Sequence, residues 1–270
     1  MTTVNDLISR FEEFAPLLLA EPHDPTGFQI GSKDQKIKNV MTTLDVRPEV
    51  VKEAINRDVD FIFAHHPVMF HPARNLDLAD PQNQMYANLL EHHITVYAAH
   101  TNLDNANGGM NDWLADAIGL QNPTGLVPHL DLNGNPTNYS MGRFGNLKQP
   151  MKVIDLGRLC KQVFGINGLR MVTNDDQQNV SRVAILGGDG GKFYPEAIKR
   201  GVQVYITGDL YYHTSQEMLS NGLSAIDPGH HIESICKNKL AEMFTRWSDE
   251  NNWKINVFAS QLNTDPFEFI

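Results

Sequence analysis

The chain has 270 residues, 41% hydrophobic and 20% charged, with no low-complexity tract, so it is expected to fold throughout, as one large α/β domain or two smaller ones. A formal net charge of −10 speaks against a broad nucleic-acid-binding face, where clustered Lys and Arg supply the affinity. The opening Met1-Thr2-Thr3-Val4-Asn5-Asp6 has no basic segment before an apolar run, and no stretch reaches the ~18 apolar residues that span a bilayer, so a cytoplasmic location without membrane contact is expected.

Val4, Leu7, Ile8, Phe11 and Phe14 recur at helical spacing behind Thr3, a ready N-cap, and predict an amphipathic first helix. Apolar runs then alternate with helical patterns: strand 40–46, helix 48–57, strand 60–65, helix 83–92, strand 94–100 and helix 110–118. The stretch 121–138 is interrupted by Pro123, Gly125, Pro128, Gly134 and Pro136, which predicts a turn-rich connection. Beyond it come strand 139–144, helix 155–164, strand 180–186, helix 194–200, strand 202–207, helix 214–221, strand 223–227, helix 231–247 and strand 255–259. Such alternation predicts an α/β fold with largely parallel strands, divided into domains 1–125 and 126–270. Cys160 and Cys236 lie outside any C-x-x-C spacing and read as buried helix residues, not as a disulfide or a thiolate zinc site.

The chain also matches itself. At a constant offset of 143 positions, residues 39–66 lie over 182–209 with six identities in 28, among them Glu53-Ala54-Ile55 on Glu196-Ala197-Ile198. After a shorter loop, 94–100 lies over 223–229, placing Thr101 on His230 and Asp104 on Glu233. The halves read as a diverged duplication.

In open α/β sheets, ligands bind beyond the carboxyl ends of the strands, and the unusual polar residues of this chain collect there. His65-His66-Pro67 ends one strand, His100-Thr101-Asn102-Leu103-Asp104 the next, Gly208-Asp209 a third and Asp227-Pro228-Gly229-His230-His231 a fourth. A loop after a strand presents adjacent histidines to one cleft, which a regular strand does not, because its successive side chains point to opposite faces. His230 and Glu233, three apart at a helix start, share a face of its first turn. Imidazole nitrogen with carboxylate oxygen suits divalent iron, zinc or manganese. Plainer readings stand beside this one. His92-His93 shows that a double histidine alone means little, Asp104 reads equally well as a turn or N-cap aspartate, and Glu233 as part of a helix cap. His100 reads as a ligand or as a hydrogen-bonding neighbour of one. His213 and His231, with His71, are candidates for substrate contact or proton transfer, each otherwise structural or solvent-facing; Asp209 and Asp227 orient histidines or cap helices.

Set in order, His-His-Pro at 65–67, His-Thr-Asn-Leu-Asp at 100–104 with Gly-Gly-x-Asn-Asp at 108–112, Tyr-Ile-Thr-Gly-Asp at 205–209 and Asp-Pro-Gly-His-x-x-Glu at 227–233 resemble the Nif-three-like family, many of whose bacterial members are called GTP cyclohydrolase 1 type 2 homologues. The similarity runs from Asp24-x-x-Gly27-x-Gln29-x-Gly31 to Asn263-Thr264-Asp265-Pro266-Phe267. The resemblance implies that His65, His66, Asp104, His230 and Glu233 ligate a pair of divalent metal ions, His230 being preferred to His231 because it directly follows Asp-Pro-Gly. It implies two similar, duplicated α/β domains facing each other across that binuclear site, and a homohexamer built as a trimer of dimers. The segment joining the halves is too short for the extra central domain of some members, so the chain looks like the compact form. The activity implied is hydrolytic, with water attacking the ring of a purine nucleotide such as GTP. No Walker-type phosphate loop is present, which leaves metals, helix N-termini or isolated basic residues such as Arg74 and Arg143 to meet phosphates. The competing expectations are a metal-dependent phosphoesterase and a non-catalytic metal-binding or partner-binding scaffold.

Overall fold

A computed structural model describes residues 1–270 as a mixed α/β fold with two sheets. In chain order its elements are α1 (Val4–Phe14), β1 (Gly27–Ile30), β2 (Asn39–Thr43), α2 (Pro48–Asn56), β3 (Phe61–Ala64), α3 (Pro81–Glu91), β4 (Thr95–Ala98), α4 (Thr101–Asn105) and α5 (Met110–Ala117). There follow β5 (Leu120–Leu130), β6 (Pro136–Lys152), α6 (Val153–Phe164), β7 (Arg170–Val172), β8 (Asn179–Asp189), α7 (Tyr194–Lys199), β9 (Val204–Gly208), α8 (Tyr212–Ser220) and β10 (Ser224–Asp227). A 3-10 helix at His230–Ser234 precedes α9 (Ile235–Glu250), and β11 (Asn256–Ala259) is the last strand. No helix is long and apolar enough to cross a membrane.

Two compact units divide the chain: Met1–Leu103 with Cys236–Thr264, and Asp104–Ile235 with Asp265–Ile270. This differs from the division at 125/126 read from the turn-rich stretch. α9 and β11 belong with the first unit because β11 pairs with β2, Val257 opposite Val40, and because Phe244 packs in the aromatic core there.

The first unit is built on a sheet of order β1-β4-β3-β2-β11, parallel except for β1. Strand alternation assigns its core. Ile62 and Ala64 of β3 join Met41 and Val96 under Val50, Val51 and Ala54 of α2 and Met85 and Leu89 of α3. The alternate residue Phe63 stacks on Tyr97 at 5.1 Å and meets Phe11 of α1 and Phe244 of α9 edge-on, each at 4.7 Å. The first helix starts where expected: Thr3 and Asp6 close a reciprocal capping box.

The second unit has a sheet of order β5-β6-β8-β9-β10-β7, with β8, β9 and β10 mutually parallel. Here 121–138 is not the predicted irregular connection, nor is the next strand confined to 139–144: β5 and β6 form one long antiparallel hairpin. Proline is tolerated because β5 is an edge strand, and the pairing slips near Pro123 and Pro128, between Gln121 and Thr124 and between Pro128 and Leu130. Asp131 closes the turn by accepting the amides of Asn133 and Asn135. The helix expected at 231–247 instead opens as the 3-10 turn and becomes α-helical at Ile235.

Arg143, read above as a candidate phosphate contact, is a buried tether on β6, 3% exposed. It grips Asp112 of α5 through Nε and Nη2 at 2.8 and 2.7 Å and donates to the carbonyls of Ser140, Gly142 and Ala106. Because removing one partner strands the others, Arg143→Ala is expected to cost about 3 kcal/mol in urea unfolding; a loss below about 1 kcal/mol is the range of a surface ion pair and contradicts this role. Both cysteines are buried, and burial pushes the Cys160 thiol up to about 12. A native-state thiol titration at neutral pH is therefore expected to find no rapidly reacting cysteine, and two after denaturation.

Candidate functional site

β3 and β4 are parallel neighbours, so the residues after their carboxyl ends emerge together. His65 and His66 follow β3 and His100 follows β4, and the three offer ring nitrogens within 4.8 Å of one another. Each ring is anchored through Nδ1. His65, fully buried, donates from Nδ1 to the Ala99 carbonyl at 2.7 Å; a carbonyl only accepts, so the neutral ring carries its proton on Nδ1 and its lone pair on Nε2. His66 Nδ1 meets Asp45 Oδ1 at 2.6 Å, and His100 Nδ1 meets Asp24 Oδ1 at 2.8 Å. Both carboxylates are themselves held by a threonine hydroxyl, Asp45 by Thr264 and Asp24 by Thr101. Burial alone would raise the Asp24 pKa, but the hydrogen bond and charge of His100, with the Thr101 hydroxyl and amide, outweigh it and keep the carboxyl below the usual range. Carboxylate-anchored imidazoles of this kind are the usual support of metal-binding histidines.

The second unit supplies carboxylates. His230 Nε2 lies 3.2 Å from Glu233 Oε2, and Asp104 brings a carboxylate oxygen within 4.8 Å of Glu233's. Both acids are buried, Asp104 at 8% and Glu233 at 2% exposure. His230 repeats the anchoring rule, with Nδ1 2.7 Å from Asp209 Oδ2. Asp209 adopts φ +54°, uncommon for a residue with a side chain, directly after Gly208, where an added Cβ would come within 2.8 Å of the His230 amide nitrogen. The chain thus comes close enough to orient the imidazole only because position 208 is glycine.

Two further glycines shape this group. A Cβ at Gly187 would sit 2.7 Å from Glu233 Oε1 and 3.0 Å from Leu114 Cδ1; at Gly188 it would sit 3.0 Å from Glu233 Oε1 and 3.2 Å from His230 Nε2. Asn111, fully buried, ties the parts together, donating to the Asp104 carbonyl at 3.0 Å and accepting the Gly187 amide at 3.1 Å.

The five residues expected as ligands are thus divided between the units, His65 and His66 in the first, where they form with His100 a donor set fit for a divalent metal ion, and Asp104, His230 and Glu233 in the second. His230 is paired with both Glu233 and Asp209. His213 lies on the exposed start of α8 against Tyr211 and Tyr212, and neither His213 nor His231 joins a metal-capable group. His71 and Arg74 are exposed. Asp209 orients a histidine as expected, whereas Asp227 accepts from Arg170, the Leu210 amide and the Gly229 amide. Sequence reasoning assigned no role to Asp24, Asp45, Thr264, Asn111, Gly187 or Gly188. Asp24, Asn111 and Thr264 lie inside recognisable motifs; Asp45 had only its place beyond β2 to mark it.

The model of the Duf34/NIF3 (NGG1p interacting factor 3) family matches residues 2–266. The chain belongs to the Duf34/NIF3 family. A Streptococcus pneumoniae relative named GTP cyclohydrolase 1 type 2 homolog is 42% identical over 269 residues, covering 98% of this chain and 99% of the relative. A Bacillus subtilis protein of the same name is 30% identical, with 98% of both chains covered, in an alignment of 365 residues. That longer alignment marks a substantial segment in the Bacillus protein that this compact Duf34/NIF3 member lacks. Among solved structures, a Bacillus cereus protein related to NIF3 superposes with a TM-score of 0.94 at 28% identity, covering 100% of this chain and 99% of that one. Reduced HcgD from Methanocaldococcus jannaschii superposes at 0.76, also 28% identical, covering 97% and 98%.

Proposed function

We propose that this Duf34/NIF3 protein is a binuclear metal-dependent hydrolase of the GTP cyclohydrolase type 2 kind, with His65, His66, Asp104, His230 and Glu233 as ligands of two divalent ions. The observation that carries the reading is the shared anchoring: His65, His66 and His230 each commit Nδ1 to an oxygen acceptor, which orients Nε2 as the donor in two separate stretches of chain. When bound, divalent iron, zinc or manganese would supply Lewis acidity and activate water at neutral pH. The chain's own contribution is to fix the rings in one tautomer and to keep Asp104 and Glu233 buried and ready to neutralise the cations. His100, anchored by Asp24 beside His65 and His66, is placed to contact substrate or to complete a ligand set.

A purine nucleotide enters this reading through the names of the relatives. The halves are read as duplicated, and the strand registers support this. Val40 pairs with Phe61 and Val183 with Val204, both shifted by 143, while Phe61 pairs with Thr95 and Val204 with Ser224, consistent with the shorter second loop. Assembly as a trimer of dimers predicts a solution mass six times the 30.3 kDa of one chain. The decisive experiment loads the protein with iron, zinc or manganese and follows formate release from GTP alongside hydrolysis of a generic phosphodiester. Turnover of GTP that is lost in a folded His65→Ala variant supports the proposal. Cleavage of the phosphodiester alone reassigns the protein as a phosphoesterase, and metal binding without turnover of either makes it a scaffold.

A further inference from the structure

A second site stands apart from the histidines. A cleft of about 790 Å³ in the first unit is lined by Lys36, Lys38, Lys254 and Trp253, with Asp6 and Asp60 among its other residues. It lies at the amino ends of the parallel strands, where Lys38 directly precedes β2, Lys254 precedes β11 and Asp60 precedes β3, whereas His65 and His66 follow the carboxyl end of β3.

The backbone fixes the lysines on one rim. Thr3 bridges Lys36, the Ile37 amide donates to the Thr2 carbonyl, and the Asn256 amide donates to the Lys38 carbonyl at 2.6 Å. Alternation along this extended segment sends Ile37, 3% exposed, into the core and puts Lys36 and Lys38 on the same outer side. None of the three ammonium groups forms an ion pair, although acidic residues outnumber basic ones 32 to 22 in the chain. The two nearby acids are turned to other donors: Asp60 accepts the Lys38 and Asn39 amides at 2.7 and 2.9 Å, and Asp6 accepts the Thr3 amide and hydroxyl at 2.7 and 2.8 Å. What remains is a concave surface with three uncommitted cations beside a partly buried indole.

We propose that this cleft binds a polyphosphate anion, with Trp253 receiving the planar base when the phosphates belong to a nucleotide. Lysine ammonium groups meet phosphate oxygens as compact point charges, and an indole face stacks on any base. This does not rest on the hydrolase reading. The test is calorimetric titration of metal-free full-length protein with tripolyphosphate and, separately, with ATP. Saturable binding is expected, weakened about tenfold or more in the Lys36→Ala/Lys38→Ala/Lys254→Ala variant and by added salt, because exposed charges are screened. Trp253→Leu separates the two sources. Selective loss of ATP affinity identifies a nucleotide and unchanged ATP affinity identifies the phosphate chain alone, and both support the site. His65→Ala is expected to bind as the parent does. Absence of saturable binding, affinity unchanged in the triple variant while circular dichroism shows it folded, or loss of binding in His65→Ala overturns the proposal.

Discussion

Replacing His65 by alanine is expected to lower metal affinity by more than about 100-fold while leaving the protein folded, since loss of an outer partner alone costs roughly 10–100-fold and His65 is proposed as a direct donor. Its ring is fully buried and held by the Ala99 carbonyl, which fixes the direction of the Nε2 lone pair that the substitution removes. Metal content after dialysis against a weak chelator, measured beside urea unfolding, separates the two effects. Retention of the parent's metal content by His65→Ala would remove this residue from the ligand set. Asp45→Asn, which keeps the shape but weakens the acceptor for His66 Nδ1, should give the smaller loss of an outer partner.

Gly187→Ala is the second large expectation, and its logic is steric. The new methyl would lie 2.7 Å from Glu233 Oε1 and 3.0 Å from Glu233 Cγ, so the carboxylate must move. Gly187 is not among the glycines with positive φ, so the substitution adds no backbone strain. Overpacking of this kind costs about 1–3 kcal/mol in stability. Metal affinity should fall much further, by about 10–100-fold, because a displaced donor no longer meets the ion at bonding distance. The same substitution at Gly201, where an added Cβ meets nothing within 4 Å but φ is +66°, provides the contrast: some loss of stability and unchanged metal affinity. Parallel losses of stability and affinity in both variants would show that Glu233 has no special place in metal binding.

The alternation of apolar runs and helical patterns was enough to place nearly every parallel strand and its following helix, because a strand buried on both faces must be apolar throughout and its crossover helix must be amphipathic. The carboxyl-end rule drew attention to His65, His66, His230 and Glu233 together with His100, Asp104, Asp209 and Asp227, and the family resemblance narrowed these to the five expected ligands. Three matters needed the tertiary structure. The β5–β6 hairpin was hidden because its prolines sit on a sheet edge, where a missing amide donor costs little, and local propensity carries no information about which strand becomes an edge. The return of α9 and β11 to the first unit is a pairing between residues more than 200 positions apart, Asn256 opposite Asn39, which no local pattern encodes. The anchoring of each imidazole, by the Ala99 carbonyl, Asp45, Asp24 and Asp209, depends on hydrogen-bond distances that only the folded chain sets. Residue type, spacing and family resemblance therefore named the candidate donors, whereas the close packing of loops from distant strands decided which nitrogen of each ring carries the lone pair.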